Sequence, residues 1–250
     1  MNKGIIIQAR TGSTRLPRKI TMNFHEGMTI LDIIIERLKH YFSPSEIILA
    51  TSTKVADAQL EAVALRHKIS FFQGDESDVL RRFIAGAEHF DKNLIVRICA
   101  DNPFLLPEYI APLIQSVEKG VLEYTSYEWP DQTPVMKSHI GLFAEAFTLD
   151  FLKRIDRKTN ALHFHEHVTN YLYTHKSDFS FRFLPVPNEV KDYPDIRLTI
   201  DTKDDFIIAQ EVYKDWISLP NQNIETLVQC IQNKPLLLEK MKKEIEKNAK

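Results

Sequence analysis

Residues 4–19 read Gly4-Ile5-Ile6-Ile7-Gln8-Ala9-Arg10-Thr11-Gly12-Ser13-Thr14-Arg15-Leu16-Pro17-Arg18-Lys19. The apolar run at the start is too short for a signal-peptide core or a membrane span. It reads as a first buried strand that delivers the chain into a polar, basic loop. Ligands of open α/β sheets bind at the carboxyl ends of strands, where this loop would lie. Gly12 allows close backbone approach, and Ser13, Thr14 and free backbone N–H groups can donate to phosphate oxygens. Arg15 and Lys19 supply the positive charge a triphosphate requires. The loop lacks the Gly-Lys-Ser/Thr ending of a P-loop. It also lacks the three spaced glycines of a dinucleotide fingerprint. By residue type alone it is equally a solvated basic loop.

Beyond the loop, β-like runs alternate with helical patterns. Thr29 begins a helix, with Asp32 at capping-box spacing. Strand-like runs at 46–50, 70–72 and 94–98 alternate with helical patterns at 56–67, 78–90 and 108–119. This rhythm predicts a mainly parallel sheet covered by helices on both faces, a three-layer α/β fold. The second half is less regular. Its patterns predict strands and loops over 124–143, helices over 144–154 and 163–173, strands over 179–184 and 197–200, and a helix over 202–216 with Thr202 and Asp205 at capping-box spacing. The tail after Lys234 reads as a Lys/Glu-rich amphipathic surface helix. The expected organisation is a main domain over 1–220, containing a smaller lobe near 124–185, followed by a helical tail over 221–250.

The chain has 250 residues, 44% hydrophobic and 26% charged, enough for one large domain. A net charge of −2 argues against a duplex-binding protein. Cys99 and Cys230 belong to no CxxC pair, so buried free thiols in a reducing cytosol are expected. No other apolar stretch approaches membrane length, and a cytoplasmic protein follows as the default.

Asp101 and Asp201 each follow a predicted strand end. There a carboxylate can hold Mg²⁺ against phosphate oxygens, or simply serve a turn or helix cap. Arg97, on the strand leading to Asp101, can pair with a substrate anion or a neighbouring carboxylate. Asp78 reads as a first-turn or capping residue. His163, His165 and His167 alternate, and on a helix only His163 and His167 share a face, which excludes a three-histidine zinc site.

The stretch IIIQARTGSTRLPRK resembles the signature of cytidylyltransferases that make CMP-activated sugars, in the branch of spore coat polysaccharide biosynthesis protein F, beside the CMP-KDO and CMP-sialate synthetases. The resemblance continues through Ala50-Thr51-Ser52, Asp78-Val79-Leu80 with Arg82-Phe83, and Arg97-Ile98-Cys99-Ala100-Asp101-Asn102-Pro103. It reappears in Glu166-His167-Val168-Thr169 and in Leu198-Thr199-Ile200-Asp201-Thr202, spanning residues 4 to about 215. It implies the fold of the nucleotide-diphospho-sugar transferases with a small sugar-binding and dimerisation lobe, CTP and a sugar or sugar-acid acceptor as substrates, Mg²⁺ shared by Asp101 and Asp201, and a homodimer. Arg15, Lys19 and Asp101 would be catalytic. Gln8, Ala9, Arg10, Gly12, Ser13, Thr14, Ala50, Thr51, Ser52 and Asp78 would meet the nucleotide, and Arg97, Asn102, His139 and His167 the acceptor.

Three departures stand out. Ala100 replaces the family's usual Gly before Asp101, and Arg18 replaces its frequent Gly before the loop lysine. Val135–Gly141 replaces its acceptor-binding Asp-Gly-x-Asp-Val-Glu, which bears on the acceptor more than on the nucleotide. The competing readings are a glycosyltransferase of the related fold, disfavoured because the chain has no Asp-x-Asp, and a non-catalytic nucleotide-binding module.

Overall fold

Ile5, Ile6 and Ile7 lie on strand β1 (Lys3–Gln8) of the computed structural model, which describes residues 1–248. Side chains alternate across a strand, so Ile5 and Ile7 enter one hydrophobic core and Ile6 the other. All three are 0% exposed, and a strand buried on both faces has no need of polar alternation.

A small hairpin follows, β2 (Asn23–His25) and β3 (Met28–Thr29), then helix α1 (Ile30–Lys39), started by the expected Thr29/Asp32 capping box. Next come β4 (Ile47–Ser52), α2 (Leu60–His67), β5 (Ser70–Gly74), α3 (Val79–His89), β6 (Leu94–Cys99) and α4 (Ile110–Glu118). The second half holds β7 (Tyr124–Glu128), β8 (Glu145–Thr148), α5 (Leu149–Lys158), α6 (Leu162–Glu166), α7 (Asn170–Thr174), β9 (Phe181–Pro185), α8 (Lys203–Ile217), α9 (Ile224–Gln232) and α10 (Pro235–Lys247).

Among the described residues, seven strands form one sheet in the order β5-β4-β1-β6-β8-β7-β9. β1 pairs in parallel with β4 and β6, β4 with β5, and β7 with β9, while β8 runs against both of its neighbours. α1, α2, α4, α8, α9 and α10 supply the core on one face; α3, α5 and α7 supply it on the other. This is the expected three-layer, mainly parallel architecture. The chain order reverses between β1 and β6, so their carboxyl ends flank the crevice where such sheets bind ligands.

The second half corrects several expectations. Residues 144–154 are not one helix: Ala146 and Phe147 enter opposite cores on β8, and only at Thr148, whose side chain accepts from Phe151 N at 3.1 Å, does α5 begin. The helix expected over 163–173 is two short helices, broken where His167 leaves helical geometry and Thr169 turns its hydroxyl to Glu145. Residues 197–200 form no strand. Leu198 and Thr199 donate to His139 O and Ile200 donates to Asp101 O, which ties this segment across the carboxyl ends of the sheet. Asp201 therefore follows an irregular crossing, and Thr202, not Asp201, caps α8.

Gly141 (φ +66°) makes that crossing possible, because a Cβ there would lie 2.8 Å from Thr199 N and 2.9 Å from Leu198 C. The helix expected over 56–67 starts at Leu60, behind a 3₁₀ turn containing Asp57. The tail is more than a solvated helix: α9 precedes α10, and Leu237, Met241 and Glu244 are buried. Residues 249–250 of the expected tail lie outside the described residues. Cys99 and Cys230 are half-buried rather than buried, and they form no disulfide. No helix among the described residues is long and apolar enough to cross a membrane.

Candidate active site

The basic loop is pinned at its start by a residue the sequence reading did not single out. Asp57 Oδ1 accepts from Thr11 N at 2.7 Å and Thr11 Oγ1 at 2.6 Å, and its Oδ2 accepts from Ser52 Oγ. Burial pushes the Asp57 carboxyl upward in pKa, but the Ser52 and Thr11 hydrogen bonds outweigh it and hold the group below the usual carboxylate range. Thr11 O then receives Ser13 N and Arg18 N, closing the loop on itself. The closure puts Arg18 in the left-handed region, φ 61° and ψ 15°, where a residue with a Cβ is disfavoured. Gly12 faces open space, since beyond its chain neighbours no atom among the described residues lies within 4 Å of where its Cβ would sit.

Closing the loop drives Lys19 inward to 8% exposure. Its ammonium lies 3.1 Å from Asp101 Oδ2 and 3.6 Å from Asp201 Oδ1, and it also donates to Ile200 O. Arg15 Nη2 meets Asp201 Oδ1 at 3.0 Å from the solvent side. Arg15, Lys19, Asp101 and Asp201 thus form one cluster at the strand tips. Among the described residues no three His, Cys, Asp or Glu side chains form a metal cage. Two hard carboxylates converging on one cation nevertheless fit Mg²⁺, which takes one or two protein carboxylates and fills its other positions with phosphate and water.

Asp201 is held by Asp205, expected from sequence only at the helix start, together with Arg197, which no motif marked. Buried Arg197 makes a two-point contact with Asp205, Nε to Oδ1 at 2.6 Å and Nη2 to Oδ2 at 2.8 Å. Asp205 Oδ2 accepts from the backbone N–H of Asp201 and Thr202 at 3.0 and 2.8 Å. Arg197 Nη1 lies 2.6 Å from His139 Nδ1, which must be the acceptor because a guanidinium only donates. His139 is thereby a buried support for this turn and does not line the neighbouring cavity. The only sequence signal for Arg197 was its position ahead of Leu198-Thr199-Ile200-Asp201.

Beside the cluster opens a cavity of about 540 Å³, lined by Gln8, Arg97, Asp101, Asn102, His167 and Asp201, and by residues 135–138. Arg97, at the floor, answers its sequence alternatives with a carboxylate: Nε donates to Glu145 Oε1 at 2.5 Å, and Nη1 to Gln8 Oε1 at 3.3 Å. Glu145 is 0% exposed and also accepts from Tyr124 OH at 2.6 Å and Thr169 Oγ1 at 3.3 Å. Burial pulls the Arg97 pKa down, but Glu145 more than offsets it and keeps the guanidinium firmly charged. Lys137 reaches the same cavity with its ammonium 4.7 Å from the centre of the Tyr173 ring.

The remaining candidates lie around the loop. Ala9 N donates to Ala50 O and Gln8 O accepts from Ala100 N, so those backbone groups are engaged in strand pairing. Ala100 fits without strain, since its φ is not positive. Ala50, Thr51 and Ser52 are buried at the end of β4. Thr14 is exposed, and Arg10, also exposed, lies 3.7 Å from Glu166. Asp78 caps α3 by accepting from Arg81 N at 2.8 Å, and it meets His165 Nδ1 at 2.8 Å. Arg82, not assigned a role from sequence, is 1% exposed, and its Nε and Nη2 have no hydrogen-bond partner among the described residues.

A basic loop after β1, two carboxylates on one lysine and a cavity at the chain-order reversal define the class: a nucleotidyltransferase of the nucleotide-diphospho-sugar transferase fold. Residues 4–247 match the cytidylyltransferase family, and the chain belongs to that family of CTP-dependent enzymes. It is 31% identical over 237 residues to the spore coat polysaccharide biosynthesis protein SpsF of Bacillus subtilis, covering 92% of this chain and 94% of that one. A cytidylyltransferase from Leptospira borgpetersenii superposes with a TM-score of 0.83 at 29% identity, over 95% of this chain and 97% of the other. CMP:2-keto-3-deoxy-manno-octonic acid synthetase, solved with CTP bound, shares the fold at a TM-score of 0.62 and 13% identity, over 86% and 99% of the two chains.

Proposed function

We propose that this protein transfers the CMP group of CTP to a hydroxyl of a sugar or sugar-like acceptor, releasing pyrophosphate, for surface polysaccharide synthesis. The observation that carries this reading is the meeting of Lys19 with Asp101 and Asp201, with Arg15 beside them, at the edge of the cavity. The acceptor oxygen would form the new bond to the α-phosphorus, its proton passing to water, while the bond from that phosphorus to the bridging oxygen of pyrophosphate breaks. Arg15 and Lys19 would stabilise the charge gathering on the triphosphate and on the leaving pyrophosphate. Asp101 and Asp201 would hold Mg²⁺, which when bound neutralises phosphate charge and makes an acceptor hydroxyl more acidic.

On this reading Gln8, Ala9, Arg10, Gly12, Ser13, Thr14, Arg15, Lys19, Ala50, Thr51, Ser52 and Asp78 form the nucleotide side. Arg97, Asn102 and His167 form the acceptor side, with His139 acting through Arg197. The reading also carries a main domain over 1–220, an acceptor and dimerisation region near 124–185, and a cytoplasmic homodimer.

The test is pyrophosphate release from CTP with Mg²⁺ across pools of keto-sugar acids, amino sugars and neutral sugars, with UTP, ATP and GTP as controls. CTP-selective release that disappears in Asp101→Ala is expected. Sugar transfer from a nucleotide-sugar without pyrophosphate release from CTP would overturn the proposal in favour of a glycosyltransferase. CTP binding without turnover in any pool would overturn it in favour of a binding module.

A further inference from the structure

The last helix reaches both sides of the acidic and basic cluster. Leu237 and Met241 seat α10 in the core, and Glu244, one turn on, is 5% exposed. Its carboxylate accepts from Thr202 Oγ1 at 3.3 Å and Lys247 Nζ at 2.7 Å. Thr202 adjoins Asp201 and caps α8, so α10 grips the turn that carries Asp201.

The contact with Arg15 comes from Asn248. Its side-chain NH₂ donates to Glu244 O at 2.9 Å and lies 3.4 Å from Glu244 Oε2. That fixes which way the amide faces and turns Oδ1 outward. Oδ1 accepts from Arg15 Nη1 at 3.0 Å, while Arg15 Nη2 lies 3.0 Å from Asp201 Oδ1. One guanidinium is therefore held at one end by a neutral oxygen and at the other by a carboxylate.

We propose that Asn248 is a positioning residue for Arg15, a pivot that keeps this arginine aimed at the triphosphate; the inference rests on the CTP reaction proposed above. To meet a phosphate oxygen, Arg15 has to leave Asp201. Asn248 holds Nη1 throughout and leaves Nη2 to exchange one anion for another. An amide oxygen suits this role because it accepts a charge-assisted hydrogen bond without bringing a charge that competes with phosphate. A long side chain on a loop loses rotamer freedom when it binds, and one already held loses less.

The experiment is titration calorimetry of the full chain with CTP and Mg²⁺, on the wild type, Asn248→Ala, Asn248→Asp, Arg15→Ala and the Arg15→Ala/Asn248→Ala double variant, with thermal unfolding of each. Asn248→Ala is expected to weaken CTP binding by about three- to tenfold, the net range of one ordinary solvent-exposed hydrogen bond, with an unchanged unfolding midpoint. Asn248→Asp is expected to weaken it at least as much, and Asn248→Ala to add nothing once Arg15 is absent. Wild-type affinity in Asn248→Ala, or the same loss in the Arg15→Ala background, would overturn the pivot and leave the CTP reaction standing. A wild-type protein that binds no CTP would overturn both.

Discussion

Lys19 holds its ammonium 3.1 Å from the Asp101 carboxylate although 82 residues separate the two in the chain. The contact joins the loop after β1 to the turn after β6, the two strands between which the chain order reverses. It converts a loop with positive charge into a site with both signs of charge facing one point.

Asp101→Asn keeps the size of the side chain and removes its charge. The variant is expected to fold normally and to lose CTP-dependent pyrophosphate release by about 10²–10³-fold, the usual effect of deleting one electrostatic stabiliser of a transition state. Its Mg²⁺ half-saturation should rise as well. Normal turnover at wild-type Mg²⁺ would remove Asp101 from the chemistry.

Glu145→Ala should damage stability before chemistry. It strips a largely buried guanidinium of its counter-charge, and breaking a buried pair costs up to about 3–5 kcal/mol. Urea unfolding should show that loss. Adding Arg97→Met should restore part of it, because the orphaned charge is then gone.

His165 predicts a pH dependence. Nδ1 faces Asp78 Oδ2 and Nε2 faces Thr159 O, both at 2.8 Å, and both partners are acceptors that favour the imidazolium. Burial pulls the His165 pKa down, yet the Thr159 carbonyl and Asp78 carboxylate prevail and raise it above the ordinary 6.5. A folded pKa above the unfolded one means the stabilisation is fully present below about pH 6.5 and is lost as pH rises through the folded value. Unfolding free energies at pH 5.5 and 8.5 should therefore differ more in the wild type than in His165→Gln. Equal differences would show that His165 does not carry the effect.

Arg18→Gly should stabilise the protein. The left-handed conformation costs a residue with a Cβ about 1–2 kcal/mol, and glycine gives back about 0.5–1 kcal/mol through its more flexible unfolded state. A rise in the unfolding midpoint of a few degrees at most is expected, with none in Arg18→Ala.

The parallel half of the sheet was legible because a doubly buried strand leaves an uninterrupted apolar run and because Thr29/Asp32 and Thr202/Asp205 announce helix starts. The second half was misread where elements are too short to show a period: β8 is four residues long, and α6 and α7 are five each. Lys19, Asp101 and Asp201 could be named from a family resemblance, but nothing in their spacing says that they touch. Asp57 and Arg197 escaped notice because they only hold other groups in place, and such work leaves no motif beyond an acid or a base in an ordinary loop; Asp205 showed as a helix start but not as the partner of Arg197.

The connection from β7 to β8 has a consequence for how this chain can change. Its exposed tip is residues 130–132; Trp129 N donates to Thr133 O, and Trp129 and Val135 are buried in the core on either side. Lengthening such a tip is thermodynamically cheap, about 0.6 kcal/mol per doubling. The loop from Thr11 to Lys19 has no such freedom, since Asp57, Thr11 and Lys19 fasten both of its ends. The tip at 130–132, next to the cavity-lining residues 135–138, is therefore open to insertion, while the basic loop beside the acidic pair admits almost none.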